Sequence, residues 1–156
     1  SFNFMMEKNI AYYKKLIPYA QEYGIKIATE NMEGITKTAN GVKELLSALE
    51  SEWVTFCFDA GHANVCGQDV AGMIEELEGY ISCTHIHDNN GKTDNHWIPG
   101  KGIGKWDAFS DALREIEFDG VFSFETVASS LQCTPEEYEL RERQLADLGK
   151  HLSHIF

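Results

Sequence analysis

Four short apolar segments, each about as long as a β-strand, end in side chains that can bind a divalent cation. They are IKIATEN with Glu30, TFCFDAGH with Asp59 and His62, ISCTHIHD with His85, and VFSFET with Glu125. Helical segments separate them, and strands joined through helices form right-handed βαβ units in a parallel sheet. Because the carboxyl ends of parallel strands converge, the pattern predicts an α/β fold with a metal site at one edge of the sheet.

Helices and strands are predicted to alternate along the whole chain. We predict strands at Ile25–Thr29, Thr55–Phe58, Ile81–Ile86 and Val121–Phe124, and helices at Met6–Tyr23, Gly41–Leu49, Val70–Leu77, Trp106–Glu115 and Pro135 to about Ser153. Gly24 suits a left-handed helix end, and Thr134 with Glu137 forms a capping-box pattern around Pro135.

The number of strands indicates part of a larger architecture. A closed (β/α)₈ barrel of the TIM type has eight strands in about 250 residues, whereas four are predicted here, so we expect the last four βα units of such a barrel. Residues 1–156 are expected to form one domain. Its open strand edges require a cover, either the N-terminal half of a barrel or a second copy in a homodimer.

Composition limits the partners of the chain. With 43% apolar residues it can bury a core, and its 25 acidic against 13 basic residues give a net charge of -12, so nucleic acid is not an expected partner. No apolar run reaches the ~18 residues that span a membrane, so no membrane partner is expected either. The four cysteines are Cys57, Cys66, Cys83 and Cys133, and none of them has the CxxC spacing of a metal or redox motif. We interpret them as reduced thiols, which are typical of a cytoplasmic protein.

Each candidate ligand also has an ordinary structural explanation. Glu30 follows a buried strand, where a salt bridge across the barrel mouth is the alternative to a metal ligand. Asp59 is also typical of a helix N-cap, and His62 follows it by three residues. His85 and His87 alternate on a strand and therefore share a face. One of them alone would suit a hydrogen-bonded core histidine, whereas two at a strand tip favour a site.

A long loop follows the third predicted strand. NNGKTDNHWIPGKGIGKW has about 18 residues, whereas βα connections usually have 2 to 6, and such loops often form binding walls. In it, Asp94 and His96 are interpreted as ligands of a second metal or as groups that orient a substrate hydroxyl, with solvent exposure as the alternative. Lys101 and the glycines around it are candidates for binding an anionic or hydroxylated ligand.

The motifs TENM, FDAGH, HIHDNNGKTDNHWIPGKG and FSFET, in this order, resemble the xylose-isomerase-like TIM-barrel superfamily over essentially the whole chain. That superfamily contains sugar and sugar-phosphate isomerases and epimerases, inosose dehydratases, hydroxypyruvate isomerases and apurinic endonucleases of the endonuclease IV type. The resemblance implies a small carbohydrate substrate and a cytoplasmic, metal-dependent isomerase or epimerase.

The resemblance also implies roles for individual residues. One divalent ion, Mn²⁺ or Zn²⁺ first and Mg²⁺ or Co²⁺ as alternatives, would be bound by Glu30, Asp59, His85 and Glu125. The two glutamates would also exchange protons at the carbon beside a carbonyl, through an enediolate. Substrate contacts are expected from His62, His87, Asp94, His96 and Lys101. The arginine that the epimerases have shortly after the histidine strand is missing, because the chain has Asn89, Asn90, Gly91 and Lys92 there.

Three alternatives to the isomerase remain at the level of sequence. Asp94 and His96 resemble the Asp-x-His pair that holds an additional zinc in the endonuclease IV group, where His62 would also bind zinc, and this indicates an apurinic endonuclease. An inosose-dehydratase-like lyase uses the same fold. An inactive binding domain is the third alternative.

Overall fold

The computed structural model describes residues 1–126 and 134–153, which contain six helices and four strands. The helices are α1 (Phe2–Tyr23), α2 (Ala39–Leu49), α3 (Ala60–Val65), α4 (Val70–Glu76), α5 (Trp106–Glu115) and α6 (Pro135–Ser153). The strands are β1 (Ile27–Glu30), β2 (Val54–Asp59), β3 (Ile81–Ile86) and β4 (Val121–Phe124). Cys57, Cys66 and Cys83 are free, whereas Cys133 lies outside the described residues.

The four strands form one parallel sheet in the order β1-β2-β3-β4. At least one helix connects each strand to the next. The register places Asp59 opposite His85, and the amide of Glu125 donates to the carbonyl oxygen of Ile86 at 3.1 Å. The polar strand ends therefore lie along one edge, and the predicted α/β class is confirmed.

The sheet and the helices share one apolar core. Phe56, Phe58 and Ile86 of the two central strands are fully buried, and they belong to the same cluster as Leu45 of α2 and Phe109 of α5. Burying an aromatic or branched aliphatic side chain stabilises a fold by roughly 1.5–3 kcal/mol. The two central strands are therefore anchored in the apolar core.

Several boundaries differ from the prediction for local reasons. β1 begins at Ile27 rather than Ile25, because the amide of Ile25 still donates to the carbonyl oxygen of Ala20 at the end of α1. β2 extends to Asp59. Helix α3 was not predicted, because six residues are too few to show a helical period.

Two predicted helix ends are confirmed. Gly24 follows α1 with φ 63°, in the left-handed region. At α6 the hydroxyl of Thr134 accepts from the amide of Glu137 at 3.3 Å, and the carboxylate of Glu137 accepts from the amide of Thr134 at 2.8 Å. These reciprocal bonds form the predicted capping box.

The outer strands are open in the described part of the chain. There, β1 and β4 each pair with one neighbouring strand. Phe4 and Tyr12 of α1 and Val121 of β4 are exposed apolar side chains. Among the helices that the structure describes, none is both long enough and apolar enough to cross a membrane. The exposed apolar surface is the kind that another protein segment covers.

Candidate metal and substrate site

The ends of the four strands bring together the four side chains predicted as metal ligands. We call Glu30, Asp59, His85 and Glu125 the carboxylate cluster; one ligand atom from each lies within 4.8 Å of the others. Nδ1 of His85 is 3.2 Å from Oε1 of Glu30 and 3.2 Å from Oε1 of Glu125. Three carboxylates around one imidazole form a donor set suited to a divalent cation.

Asp59 combines the two roles that the sequence left open. Its Oδ1 accepts from the amide of His62 at 2.6 Å, which makes Asp59 the N-cap of α3. Its side chain is fully buried, and Oδ2 has no hydrogen-bond partner among the described residues. The nearest cationic groups are Nδ1 of His62 at 3.6 Å and Nδ1 of His85 at 3.9 Å. Leaving a buried carboxylate oxygen without a hydrogen bond is costly, so this atom is available to a cation.

A second group of ligands lies beside the first. We call His62, His87, Asp94 and His96 the histidine cluster; one ligand atom from each again lies within 4.8 Å of the others. Oδ2 of Asp94 is 3.3 Å from Nε2 of His62 and 3.1 Å from Nε2 of His96. The loop residues Asp94 and His96 thus join histidines from α3 and from the end of β3.

Two imidazoles of the histidine cluster are oriented by backbone carbonyls. Nδ1 of His62 lies 3.0 Å from the carbonyl oxygen of Asn31, and Nδ1 of His96 lies 2.7 Å from that of Glu125. A carbonyl only accepts, so each Nδ1 carries the proton and donates it. Each Nε2 remains available as a ligand when the ring is neutral, an arrangement typical of metal-binding histidines.

His87 connects the two clusters. It is fully buried and stacks on His96 with ring centroids 3.9 Å apart. Nε2 is 3.1 Å from Oδ1 of Asp59, without hydrogen-bond geometry, and Nδ1 is 3.6 Å from Oδ1 of Asp94. Gly61 leaves room for this ring, because a Cβ at position 61 would overlap it.

The charges of the clusters perturb neighbouring pKa values. Burial by itself raises the pKa of Glu30, but hydrogen bonds with the imidazoles of His62 and His85 hold it at about 2. The hydrogen bond with Glu30 raises the pKa of His62 to about 9, against the effect of burial. Burial lowers the pKa of His96, but the carbonyl of Glu125 and the nearby carboxylate of Asp94 raise it overall. Protons bound to His62 and His96 thus offset part of the negative charge of the carboxylates, as a bound cation would also do.

Lys101 lies apart from these ligands. Its ammonium is 5.6 Å from the centroid of the Trp97 ring, within cation–π distance, and its residue is exposed. The amides of the glycines beside it, at Gly100, Gly102 and Gly104, donate to the carboxylate of Asp88. The backbone amides expected to face a ligand are therefore occupied by a protein carboxylate.

Three buried residues of the site were not predicted as functional: Asn31, Asp88 and Asn89. Asn31 holds the ends of β1 and β2 together, because its side chain donates to the carbonyl oxygen of Asp59 at 2.8 Å and accepts from its amide at 2.7 Å. Asn89 donates to the carbonyl oxygen of Gly61 at 2.8 Å and so ties the loop to α3. Asn31 and Asp88 share one signal in the sequence, a polar residue directly beside the predicted site residues Glu30 and His87, whereas Asn89 lies two residues from His87.

Known proteins share the family and the fold of this chain. A family model described as xylose isomerase-like TIM barrel matches residues 6–147. The chain is 33% identical over 158 aligned residues to the uncharacterised protein MJ1311 of Methanocaldococcus jannaschii, covering 94% of this chain and 54% of that protein.

Solved structures of epimerases have the same fold. A D-tagatose 3-epimerase-like protein has a TM-score of 0.77 and 26% identity, over 96% of this chain and 55% of its own. The IolI protein, described with a bound zinc atom, has a TM-score of 0.76 and 24% identity, over 98% of this chain and 58% of its own. The chain therefore spans about half the length of these relatives, which accounts for a sheet of four strands. It belongs to the xylose isomerase-like TIM-barrel family, as the sequence motifs predicted.

Proposed function

We propose that this chain is the cation-binding half of a metal-dependent sugar or sugar-phosphate isomerase or epimerase. The observation that carries the proposal is the carboxylate cluster, in which Glu30, Asp59, His85 and Glu125 approach one another within 4.8 Å at the strand ends. The D-tagatose 3-epimerase-like relative supports a sugar as the substrate.

The carboxylate cluster fits a divalent cation by its chemistry. Oδ2 of Asp59 is buried without a hydrogen-bond partner among the described residues, and the cluster adds two further carboxylates and an imidazole. Oxygen donors with one imidazole suit Mn²⁺ and Zn²⁺, and also Mg²⁺ or Co²⁺. The zinc of the IolI relative is consistent with this choice. A cation held here would supply Lewis-acid polarisation of a substrate carbonyl and its neighbouring hydroxyl.

Glu30 and Glu125 are the proposed proton-transfer residues. Glu30 ends β1 and Glu125 directly follows β4, and these are the outer strands of the described sheet, so we place the two carboxylates on opposite sides of the substrate carbon. One carboxylate removes the proton from the carbon beside the carbonyl, and the other returns a proton to the resulting enediolate from the other side. We propose substrate contacts for His62, whose Nδ1 is 3.1 Å from Oε1 of Glu30, and for the neighbouring Asp94 and His96. The buried His87 and the more distant Lys101 are weaker candidates for such contacts.

The proposed enzyme requires a further wall around its substrate. Open clefts adjoin Glu30 and Glu125 at the two outer strands. We assign residues 1–156 to one domain, the C-terminal portion of a barrel, completed by its N-terminal half or by a second copy in a homodimer. The free thiols of Cys57, Cys66 and Cys83 are consistent with a cytoplasmic location.

The test is the exchange of substrate protons in the protein that contains this chain. Glu125→Gln is expected to abolish deuterium incorporation beside the carbonyl of a ketohexose such as D-tagatose, followed by NMR in D₂O with Mn²⁺ present. Glu115→Gln at the exposed end of α5 changes the same charge away from the site and is expected to exchange as the wild type does. Exchange retained in Glu125→Gln at unchanged bound metal would remove Glu125 from the mechanism.

The histidine cluster favours one second candidate, a multi-metal apurinic endonuclease. Its four ligands add a second group of donors beside the carboxylate cluster, as phosphodiester hydrolysis by several metals requires. The net charge of -12 opposes the approach of DNA. Cleavage of an abasic duplex in excess Zn²⁺ without sugar exchange would favour the endonuclease. Loss of water from a cyclic polyol would favour the dehydratase-like lyase, and ligand binding without turnover an inactive binding domain.

A further inference from the structure

The loop from β3 to α5 begins with His87 and carries two further ligands of the histidine cluster, Asp94 and His96, but contains no helix or ladder strand. It is closed by Asp88, whose backbone exchanges two hydrogen bonds with Trp97, at 2.7 and 2.9 Å. Asp94 and His96 lie within the ring of residues that this isolated bridge closes. The position of both ligands therefore depends on what holds Asp88 and Trp97 together.

The side chain of Asp88 fixes the second part of the same loop. Its carboxylate accepts five N–H groups, and its residue is 1% exposed. Oδ1 accepts from the amides of Asn89 at 2.8 Å and Gly104 at 3.0 Å, and Oδ2 accepts from the amides of Gly100 and Gly102 at 2.9 Å and from Nε1 of Trp106 at 3.0 Å. One residue thus joins the end of β3 to four points along the following loop and helix.

These contacts require an ionised carboxylate. Five donors converge on two oxygens, and only a carboxylate has acceptor capacity for all of them. A buried carboxylate satisfied in this way is among the stronger anchors available to a loop.

Gly102 allows the loop to approach this closely. A Cβ at position 102 would overlap the carbonyl oxygen of Asn89 and the carboxylate of Asp88. The missing side chain of Gly102 therefore lets its amide reach Asp88, which is a member of neither ligand cluster.

We propose that Asp88 is a positioning residue, whose carboxylate fixes the β3–α5 loop so that Asp94 and His96 reach His62 and His87. It acts through the loop and contacts no atom of a substrate. Its consequence for catalysis rests on the proposed function, whereas its effect on the loop does not.

The test is Asp88→Asn, which keeps the size of the side chain. Whichever way the new amide turns, its NH₂ faces at least two N–H donors, so either Gly104 or both Gly100 and Gly102 lose their acceptor. We expect hydrogen exchange of the glycine amides that lose it to become about tenfold faster or more, while β2 and β3 keep their protection. We also expect the imidazole NMR signals of His96 to change and those of His85 to remain.

Two further variants complete the experiment. Asp107→Asn removes the same charge from an exposed residue of α5 and is expected to leave loop exchange and His96 unchanged. Gly102→Ala perturbs the same contact from the loop side and is expected to reproduce the effect of Asp88→Asn. Unchanged loop exchange and His96 signals in both variants would overturn the proposal.

Equal loss of protection in the core strands, including complete unfolding, would also overturn it, since Asp88 would then support the whole fold. If Asp88→Asn changes the loop but the wild-type protein does not exchange substrate protons, the positioning role stands and the proposed function is rejected. The two proposals can therefore fail separately.

Discussion

Asp59 has a structural role and a proposed ligand role that a single substitution separates. Oδ1 caps α3, whereas Oδ2 is buried without a partner among the described residues and faces the carboxylate cluster. Asparagine caps helices about as well as aspartate, so Asp59→Asn preserves the cap and removes the charged ligand. We expect the metal-free variant to stay folded and to lose its response to cations.

The magnitudes follow from mass action. A cation at 100 times its dissociation constant stabilises the wild type by about 2.7 kcal/mol, which raises the melting temperature by about 5–10 °C in a protein of this size. If the substitution weakens binding a hundredfold, the same cation concentration contributes only about 0.4 kcal/mol, or about 1–2 °C. Asp59→Ala also removes the cap, which costs a further 1 kcal/mol or so without any metal.

Thermal unfolding followed by circular dichroism, with a chelator or with added Mn²⁺ or Zn²⁺, measures both effects. Asp69→Asn is the matched control, because Asp69 is an exposed N-cap residue of α4 whose side chain makes no cap hydrogen bond. A cation-induced shift in Asp59→Asn as large as that of the wild type would refute the ligand role. Equal metal-free destabilisation by asparagine and alanine would refute the cap argument.

Three other predictions address the core, the cluster geometry and the protons. Phe56→Ala should lower the free energy of unfolding by about 3–5 kcal/mol in urea titrations, because Phe56 is fully buried, and a loss below about 1 kcal/mol would contradict that placement. Gly61→Ala should destabilise the protein by about 1–3 kcal/mol, because the added methyl group displaces the His87 ring. Helix propensity alone predicts the opposite, so a stabilised variant would contradict the contact between position 61 and His87. Zn²⁺ binding to the histidine cluster should release roughly one proton at pH 7, because the pKa of His62 is raised to about 9 and the metal displaces the proton from its ring. The affinity for Zn²⁺ should therefore increase as the pH rises toward 9. Binding heats that do not vary with the ionisation enthalpy of the buffer would exclude this proton release.

Much of the fold could be predicted because its signals are local. Apolar runs, the stop at Gly24 and the capping box at Thr134 are read from neighbouring residues, and the structure has each of them. Helix α3 could not be predicted, because its six residues are held by the cap at Asp59 and by their place beneath the strand ends rather than by their own periodicity.

The sequence predicted the candidate ligands of the site better than the residues that hold those ligands in position. Polar residues that interrupt apolar strands at their ends are visible in the sequence, and the structure brings Glu30, Asp59, His85 and Glu125 together. Asp88 stands beside His87, but its supporting role could not be read from the sequence, because three of its five partners are backbone amides 12 to 16 residues away, and any residue type other than proline carries such an amide.

The sequence by itself determined the α/β class, the family and the chemical types that end each strand, because these depend on residue order and on strand and helix periods. The tertiary structure decided that the ligands separate into a carboxylate cluster and a histidine cluster, with His87 between them. It also decided that the glycine amides of the long loop turn to Asp88 rather than to a ligand. Both outcomes depend on distances of about 3 Å between residues far apart in the chain, which only the packing of the strands and loops sets.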